Sequence, residues 1–409
     1  MKQDRYNDEI RKSQGFSPEL PQNEIDDRLR RLREGLKADG IDAAFIFGSP
    51  LDPTWVRYYA NYIPAVQVSE AMLFVSAKEK EPILLIDRDW YLAAAKEITG
   101  MKDIRVYPFV KYLHAREGMA EVFGKIISDH GLQNARIGLS LVTMPTLYYQ
   151  AFTDAFTKVD FVDVTHTLNR MGEYKSPYDI KMVRESAAIA DKGMAAAIEG
   201  CRAGATEYEA GVAAELAMCA AGCDFGVGAT VRTHITIGSA STIPSNVRGY
   251  SYTGRILEKG DFFYIDLSTC YKGYYTDFCR TVSIGKPSKE QQRMYDCTMA
   301  THKKLLEMVK PGTKGEDLFK AGLQVALDWG YEPDQINNIW LGHGTGLMVS
   351  DSPFFQMGED RSVQANMFVN IEPGLFIPKY GSTSVEDQLF VTESGNEIVT
   401  QTPREIHVR

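Results

Sequence analysis

The chain has 409 residues, enough for two or three domains that each bury a core. Hydrophobic residues make up 44% and charged residues 24%, an ordinary balance for a soluble globular protein, and a net charge of −9 argues against nucleic acid or an anionic membrane as partner. The N-terminal MKQDRYNDEI lacks the apolar core of a signal peptide and no apolar run is long enough to span a bilayer, so the expected location is the cytoplasm.

In chain order, residues 1–22 read as a polar arm with prolines. A helix is expected from near Asn23, with Ile25, Leu29, Leu32 and Leu36 on one stripe and Gly40 as its stop. Short apolar runs at Ala43–Phe47, Ala71–Val75, Ile83–Ile86, Arg136–Leu139 and Val159–Val162 alternate with helical patterns, which predicts a mixed α/β first domain over residues 1–165. Ser176-Pro177-Tyr178-Asp179 combines an N-cap serine, proline at the first helical position and an acid at the third. It opens a long helix carrying Ile180, Val183, Ala187, Ala190 and Met194, and a second domain over residues 174–409. Two further helices are expected at Lys289–Val309 and Glu316–Trp329, among β-rich segments, so the second domain is α+β. The six cysteines form no CxxC pair and read as reduced core thiols.

Chemistry concentrates in the second domain. Phe262–Leu267 is a buried strand interrupted by Asp266, and Tyr275–Phe278 starts a second strand that carries Asp277. A turn centred between Tyr271 and Lys272 sets the two acids directly opposite each other, where a divalent cation removes the cost of paired buried charges. Phe368–Glu372 and Val385–Val391 suggest a second hairpin, bringing Glu372 and Glu386 together. His343 lies in Leu341-Gly342-His343-Gly344-Thr345-Gly346, where glycines admit a close approach of backbone. Four carboxylates and one imidazole make a hard donor set for two divalent metal ions, with manganese first and cobalt, zinc or iron as alternatives.

These residues, in this order, resemble the pita-bread family of creatinase, prolidase, aminopeptidase P and methionine aminopeptidase. The matching segments are GDFFYIDLSTCYKGYYTDFCRT, LGHGTGL, NIEPG and SVEDQLFVTESG, and the helix YKSPYDIKMVRESAAIAD resembles the first helix of the family's C-terminal domain. The resemblance implies a creatinase-like N-terminal domain before a pita-bread catalytic domain. It implies metal binding by Asp266, Asp277, His343, Glu372 and Glu386, with Asp277 and Glu386 bridging two ions. It gives His343 and Glu372 catalytic parts, Glu372 as the proton shuttle, and a homodimer in which a partner's N-terminal domain completes the cleft, so Tyr58 and Tyr59 are candidates to reach it. The reaction implied is hydrolysis of an amide C–N bond, first of a dipeptide or short peptide of the Xaa-Pro type. A small non-peptide amide or amidine, as in the creatinase and ectoine-hydrolase branches, is the alternative, and a retired binding module is a third reading. Three positions depart from the peptidase pattern. Ser245 follows Pro244 where a histidine is expected, Ser350 stands for the second histidine beyond the GHG segment, and Ser384 stands for an arginine two residues before the last glutamate. Candidate substrate-binding residues are therefore His234, Ser245, Arg248 and Ser350, while Arg280 is expected to pair with an acid.

Overall fold

The computed structural model describes residues 20–64, 69–78, 80–107, 115–224, 233–238, 255–336 and 340–409, the backbone alone at 115–120 and 233–238. Contacts divide it into two units that meet in sequence at Gly172–Glu173.

In the first unit the elements are α1 (Gln22–Ala38), β1 (Ala43–Gly48), α2 (Thr54–Ala60), β2 (Ala71–Ser76), β3 (Ile83–Ile86), α3 (Leu92–Thr99), β4 (Asp103–Val106), α4 (Ala115–Asp129), β5 (Arg136–Leu139), α5 (Thr146–Ala155), β6 (Asp160–Asp163) and α6 (Thr165–Glu173). The strands form one six-stranded sheet in the order β4-β3-β2-β1-β5-β6. β2 runs antiparallel to both neighbours, and the outer pairings are parallel. The expected stripe of α1 is the buried one: Ile25, Leu29, Leu32 and Leu36 face inward. Phe45, Phe74, Phe123 and Phe152 pack ring on ring in the core, with centroid distances of 4.9, 5.4 and 5.1 Å from Phe45 to the other three.

The second unit opens at α7 (Pro177–Gly200), and its start follows the sequence signal. Ser176 Oγ accepts from the Asp179 N–H at 3.1 Å and Asp179 Oδ2 accepts from the Ser176 N–H at 2.9 Å. α8 (Glu207–Ala220) and β7 (Thr233–Gly238) follow, then β8 (Phe262–Tyr271), β9 (Tyr274–Ser283), α9 (Lys289–Met308) and α10 (Gly315–Asp328). The remaining strands are β10 (Gly342–Thr345), β11 (Asp351–Phe354), β12 (Phe368–Ile371), β13 (Gly374–Ile377), β14 (Gly381–Ser384), β15 (Asp387–Val391), β16 (Asn396–Ile398) and β17 (His407–Val408). They make a four-stranded sheet β17-β9-β8-β7, a five-stranded sheet β11-β10-β12-β15-β16 and the hairpin β13-β14. α7 and α8 share an apolar core with Phe263, Ile265, Leu267 and Phe278, and α9 and α10 share another with Val369, Ile371 and Leu389. Each sheet thus has a helix pair on its apolar side. The sheets are joined through polar bonds: the Glu386 N–H donates to the Cys279 carbonyl at 3.2 Å and Gln388 Nε2 donates to the Tyr275 carbonyl at 3.1 Å.

The strand pairings correct two details of the sequence reading. The β8–β9 turn is centred on Lys272-Gly273, not Tyr271-Lys272, because both central residues take positive φ, 51° and 86°, the geometry of a two-residue hairpin loop. The Asp224 carboxylate holds it there, accepting from the Lys272 and Gly273 N–H groups at 2.8 and 2.9 Å. Moving the turn by one residue moves every partner by two. Asp266 therefore faces Cys279, and Asp277 faces Ser268. The two acids keep one face but stand diagonal. Secondly, Glu372 and Glu386 do not belong to a simple hairpin. β12 and β15 pair directly, with Ile371 opposite Asp387, and the chain between them forms its own hairpin β13-β14.

Candidate metal centre

The meeting line of the two sheets collects five side chains. Asp266 extends from β8 and Asp277 from β9, His343 sits on β10, Glu372 just follows β12, and Glu386 just precedes β15. His343 Nε2 lies 3.7 Å from Glu372 Oε1, 3.9 Å from Glu386 Oε1 and 4.0 Å from Asp277 Oδ2. Donor atoms of Asp277, His343 and Glu386 lie within 4.8 Å of one another, and so do those of Asp266, Cys279 and Glu386. Two adjoining groups of donors therefore share Glu386.

The glycines beside His343 have a local cause. β10 is the inner strand between β11 and β12. A Cβ at Gly344 would come within 2.1 Å of the Ser352 carbonyl oxygen, and one at Gly342 within 2.2 Å of the Asn370 carbonyl oxygen. The close approach read from the sequence is thus to the neighbouring strands.

Electrostatics make the centre costly without a cation. Burial, and then the charges of Glu386 and Asp266, push Asp277 well above the usual carboxylate range. Burial, and then Glu372 and Asp266, do the same to Glu386. Asp277 Oδ1 is buried and has no hydrogen-bond partner among the described residues. A dication would supply the missing partner and invert this penalty. His343 is set for the same purpose. Its Nδ1 lies 2.9 Å from the Gly344 carbonyl oxygen, which can only accept, so the proton is on Nδ1 and the Nε2 lone pair faces the carboxylates. Burial lowers its pKa to about 4, keeping the ring neutral. The donor set fits divalent metal ions.

Other residues position these donors. Asn370 Nδ2 donates to Glu386 Oε1 at 2.8 Å and to the Asp277 carbonyl at 3.2 Å. Arg280, fully buried, pairs with Asp387 at 2.8 Å, as expected for an arginine beside this strand, and also donates to the Glu386 and Cys279 carbonyls at 2.6 and 2.8 Å. The His302 ring and the Arg404 guanidinium meet the other Asp387 oxygen. Burial alone would raise Asp387, but the His302 hydrogen bond and then the Arg280 charge hold it well below the usual carboxylate range.

The sequence reading missed Asn370 and Cys279. Asn370 carried one signal, a polar side chain inside an apolar strand. Cys279 carried none, because only the true register sets it across from Asp266. Of the residues expected to grip substrate, Ser245 and Arg248 lie outside the described residues. His234 occupies the β7 position opposite Ser268. Ser350 is exposed. Ser384, the departure nearest the last glutamate, is buried and its Oγ donates to the Pro373 carbonyl at 3.2 Å.

Paired sheets backed by helix pairs, following a separate α/β unit in the sequence, are the two-domain pita-bread architecture. Residues 181–393 match metallopeptidase family M24 and residues 28–172 match the creatinase/prolidase N-terminal domain. An Xaa-Pro dipeptidase of Pyrococcus furiosus is 27% identical over 386 residues, 93% of this chain and 99% of that protein. The Xaa-Pro dipeptidase of Pyrococcus horikoshii is 31% identical over 247 residues, 60% of this chain and 68% of that protein. The crystal structure of the Pyrococcus horikoshii prolidase superposes with a TM-score of 0.76 at 25% identity, covering 93% of this chain and 99% of that one. An Xaa-Pro dipeptidase structure from Bacillus anthracis has the same fold, with a TM-score of 0.80 at 23% identity over 94% of this chain and 100% of that one. The chain belongs to metallopeptidase family M24, in the creatinase, prolidase and aminopeptidase P group. It is a hydrolase, a metallopeptidase of the prolidase type. Among the described residues no helix is long and apolar enough to cross a membrane.

Proposed function

We propose that the chain hydrolyses the amide bond of a dipeptide or short peptide of the Xaa-Pro type with two divalent ions per chain. The observation that carries this reading is the pair of adjoining donor groups sharing Glu386. Asp266 would hold one ion and His343 and Glu372 the other, with Asp277 and Glu386 available to both. Two such ions, when bound, would supply an acidified water and a polarised scissile carbonyl. The protein's own part is positional. His343 presents a neutral Nε2, Asn370 orients Glu386, and Glu372 takes a proton from the attacking water and returns it to the leaving nitrogen. The names of the relatives extend the reading to Xaa-Pro substrates.

One observation favours a second substrate class. Ser384 spends its hydroxyl on the Pro373 carbonyl, so that position offers no cation to a substrate carboxylate. A small amide without a terminal carboxylate suits it better. A panel of Xaa-Pro dipeptides and their C-terminal amides, assayed with added manganese and separately with cobalt, decides. Turnover of the free dipeptides carries the first reading; turnover of the amides alone, or of no peptide by fully metallated protein, carries the second. We also propose a cytoplasmic homodimer, on family grounds; a monomer in sedimentation at micromolar concentration overturns the dimer.

A further inference from the structure

Among the described residues, Cys279 is the one cysteine grouped with the carboxylate donors of the site. It is 1% exposed, stands opposite Asp266 in the β8–β9 ladder, and shares a sheet face with Asp277 two residues before it. Its Sγ lies 3.0 Å from Glu386 Oε2. The arrangement is rigid: Arg280 and the Glu386 N–H both bond the Cys279 carbonyl. A second, independent feature shows that this face is built for a cation. Asp277 Oδ1, on the neighbouring same-face residue, is buried with no hydrogen-bond partner among the described residues.

Two arrangements satisfy a thiol here. Either the S–H donates permanently to Glu386 and only orients that carboxylate, or the sulfur itself is a donor to the ion. The second is favoured by placement: the Cys279 sulfur and the Asp266 and Glu386 carboxylates form one compact donor group, with ligand atoms all within 4.8 Å of one another. From these distances, and resting on the dimetal reading above, we infer that Cys279 supplies a sulfur donor to the ion held by Asp266 and Glu386, and that this position selects a thiophilic ion such as zinc, cobalt or iron over manganese. On binding, the S–H bond breaks, its proton passes to bulk water, and the sulfur lone pair forms the bond to the ion; no oxidant or reductant is involved. Sulfur is a poor ligand for manganese and a good one for the softer ions. The manganese expected from the carboxylates alone is thereby displaced at one of the two positions.

Cobalt(II) is the probe, because its spectrum separates binding from sulfur ligation. The full-length protein is stripped with chelator and titrated with cobalt chloride under exclusion of oxygen. Weak visible d–d bands report binding, and an intense near-ultraviolet sulfur-to-cobalt charge-transfer band reports the thiolate. The wild type shows both. Cys279→Ser and Cys279→Thr, checked for folding by circular dichroism, keep the visible bands and lose the near-ultraviolet band. The Cys219→Ser/Cys223→Ser variant retains it, which excludes the neighbouring thiol pair, 3.8 Å apart, as its source. Competition between zinc and manganese gives the selectivity: the bound zinc-to-manganese ratio falls in Cys279→Ser. Visible bands without the near-ultraviolet band in the wild type, or a band that survives in the folded Cys279 variants, overturn the sulfur ligand and leave the dimetal centre standing. An unchanged metal ratio overturns the selectivity. No cobalt binding at all overturns both.

Discussion

Asn370 Nδ2 donates to Glu386 Oε1 at 2.8 Å while the same amide group reaches the Asp277 carbonyl at 3.2 Å. One side chain thus ties β12 to the carboxylate shared by both donor groups and to β9, the strand that carries Asp277. Asn370 is fully buried, so no water replaces it readily. Asn370→Ala is expected to leave the fold intact and to weaken metal affinity by about 10–100-fold, as for other residues that orient a ligand. Isothermal titration with manganese or cobalt checks this; affinity within twofold of wild type would show that Glu386 is held in place without Asn370.

Neutralising Asp277, one of the proposed metal ligands, should have opposite effects in the two states of the protein. In the metal-free chain Asp277 is forced up by burial and by two neighbouring acids, so Asp277→Asn relieves repulsion and raises the melting temperature. In the presence of metal the variant loses the stabilisation that binding brings, about 2.7 kcal/mol at a hundredfold excess over Kd. Thermal unfolding with and without chelator gives both numbers. A variant that is destabilised without metal would mean that Asp277 is a structural acid. Glu372→Gln separates binding from chemistry: it should retain the fold and much of the metal while turnover falls by about 10²–10⁴-fold, the range for a lost proton-transfer group.

The ion cluster behind the site predicts a stability effect away from the chemistry. Asp387 is fully buried, and its partners Arg280, His302 and Arg404 hold it charged. Arg280→Met removes one partner and the donor to the Glu386, Cys279 and Thr402 carbonyls. Leaving a buried charge and three acceptors short should cost about 3 kcal/mol, read by urea unfolding. A loss below about 1 kcal/mol would mean that His302 and Arg404 suffice.

What the sequence disclosed and what it concealed follow one physical division. Charges inside apolar strands are costly, so Asp266, Asp277, Glu372 and Glu386 stand out in one dimension, as does the Ser176–Asp179 helix start. Strand parity survives a shifted turn, so the face common to Asp266 and Asp277 was legible. Their register was not, because it depends on Lys272 and Gly273 adopting positive φ over Asp224, a residue 48 positions upstream of Lys272. The inserted β13-β14 hairpin was hidden for the same reason: long-range pairing of β12 with β15 decides it. Cys279 read as a core thiol because its meaning comes from Glu386, 107 positions away.

The last prediction concerns the first unit. Asp87 is 4% exposed, and neither of its carboxylate oxygens has a hydrogen-bond partner among the described residues. Arg88 Nε, at 3.4 Å, offsets only part of the desolvation, and the pKa rises to about 6 from 3.8. A raised acid pKa means that the folded chain binds the proton more tightly than the unfolded chain. This group therefore adds nothing below pH 3.8. It costs stability progressively as pH rises from about 4 to about 6, and the full cost persists above that. Asp87→Asn holds the neutral form at all pH values. The variant should come close to wild type near pH 4 and exceed it by about 1–3 kcal/mol at pH 8, the upper end being the roughly two-unit shift converted at about 1.36 kcal/mol per unit. Unfolding midpoints of both proteins across pH 4 to 8 give the curve. A gap that stays constant with pH, or that closes as pH rises, would show that Asp87 is already compensated in the folded state.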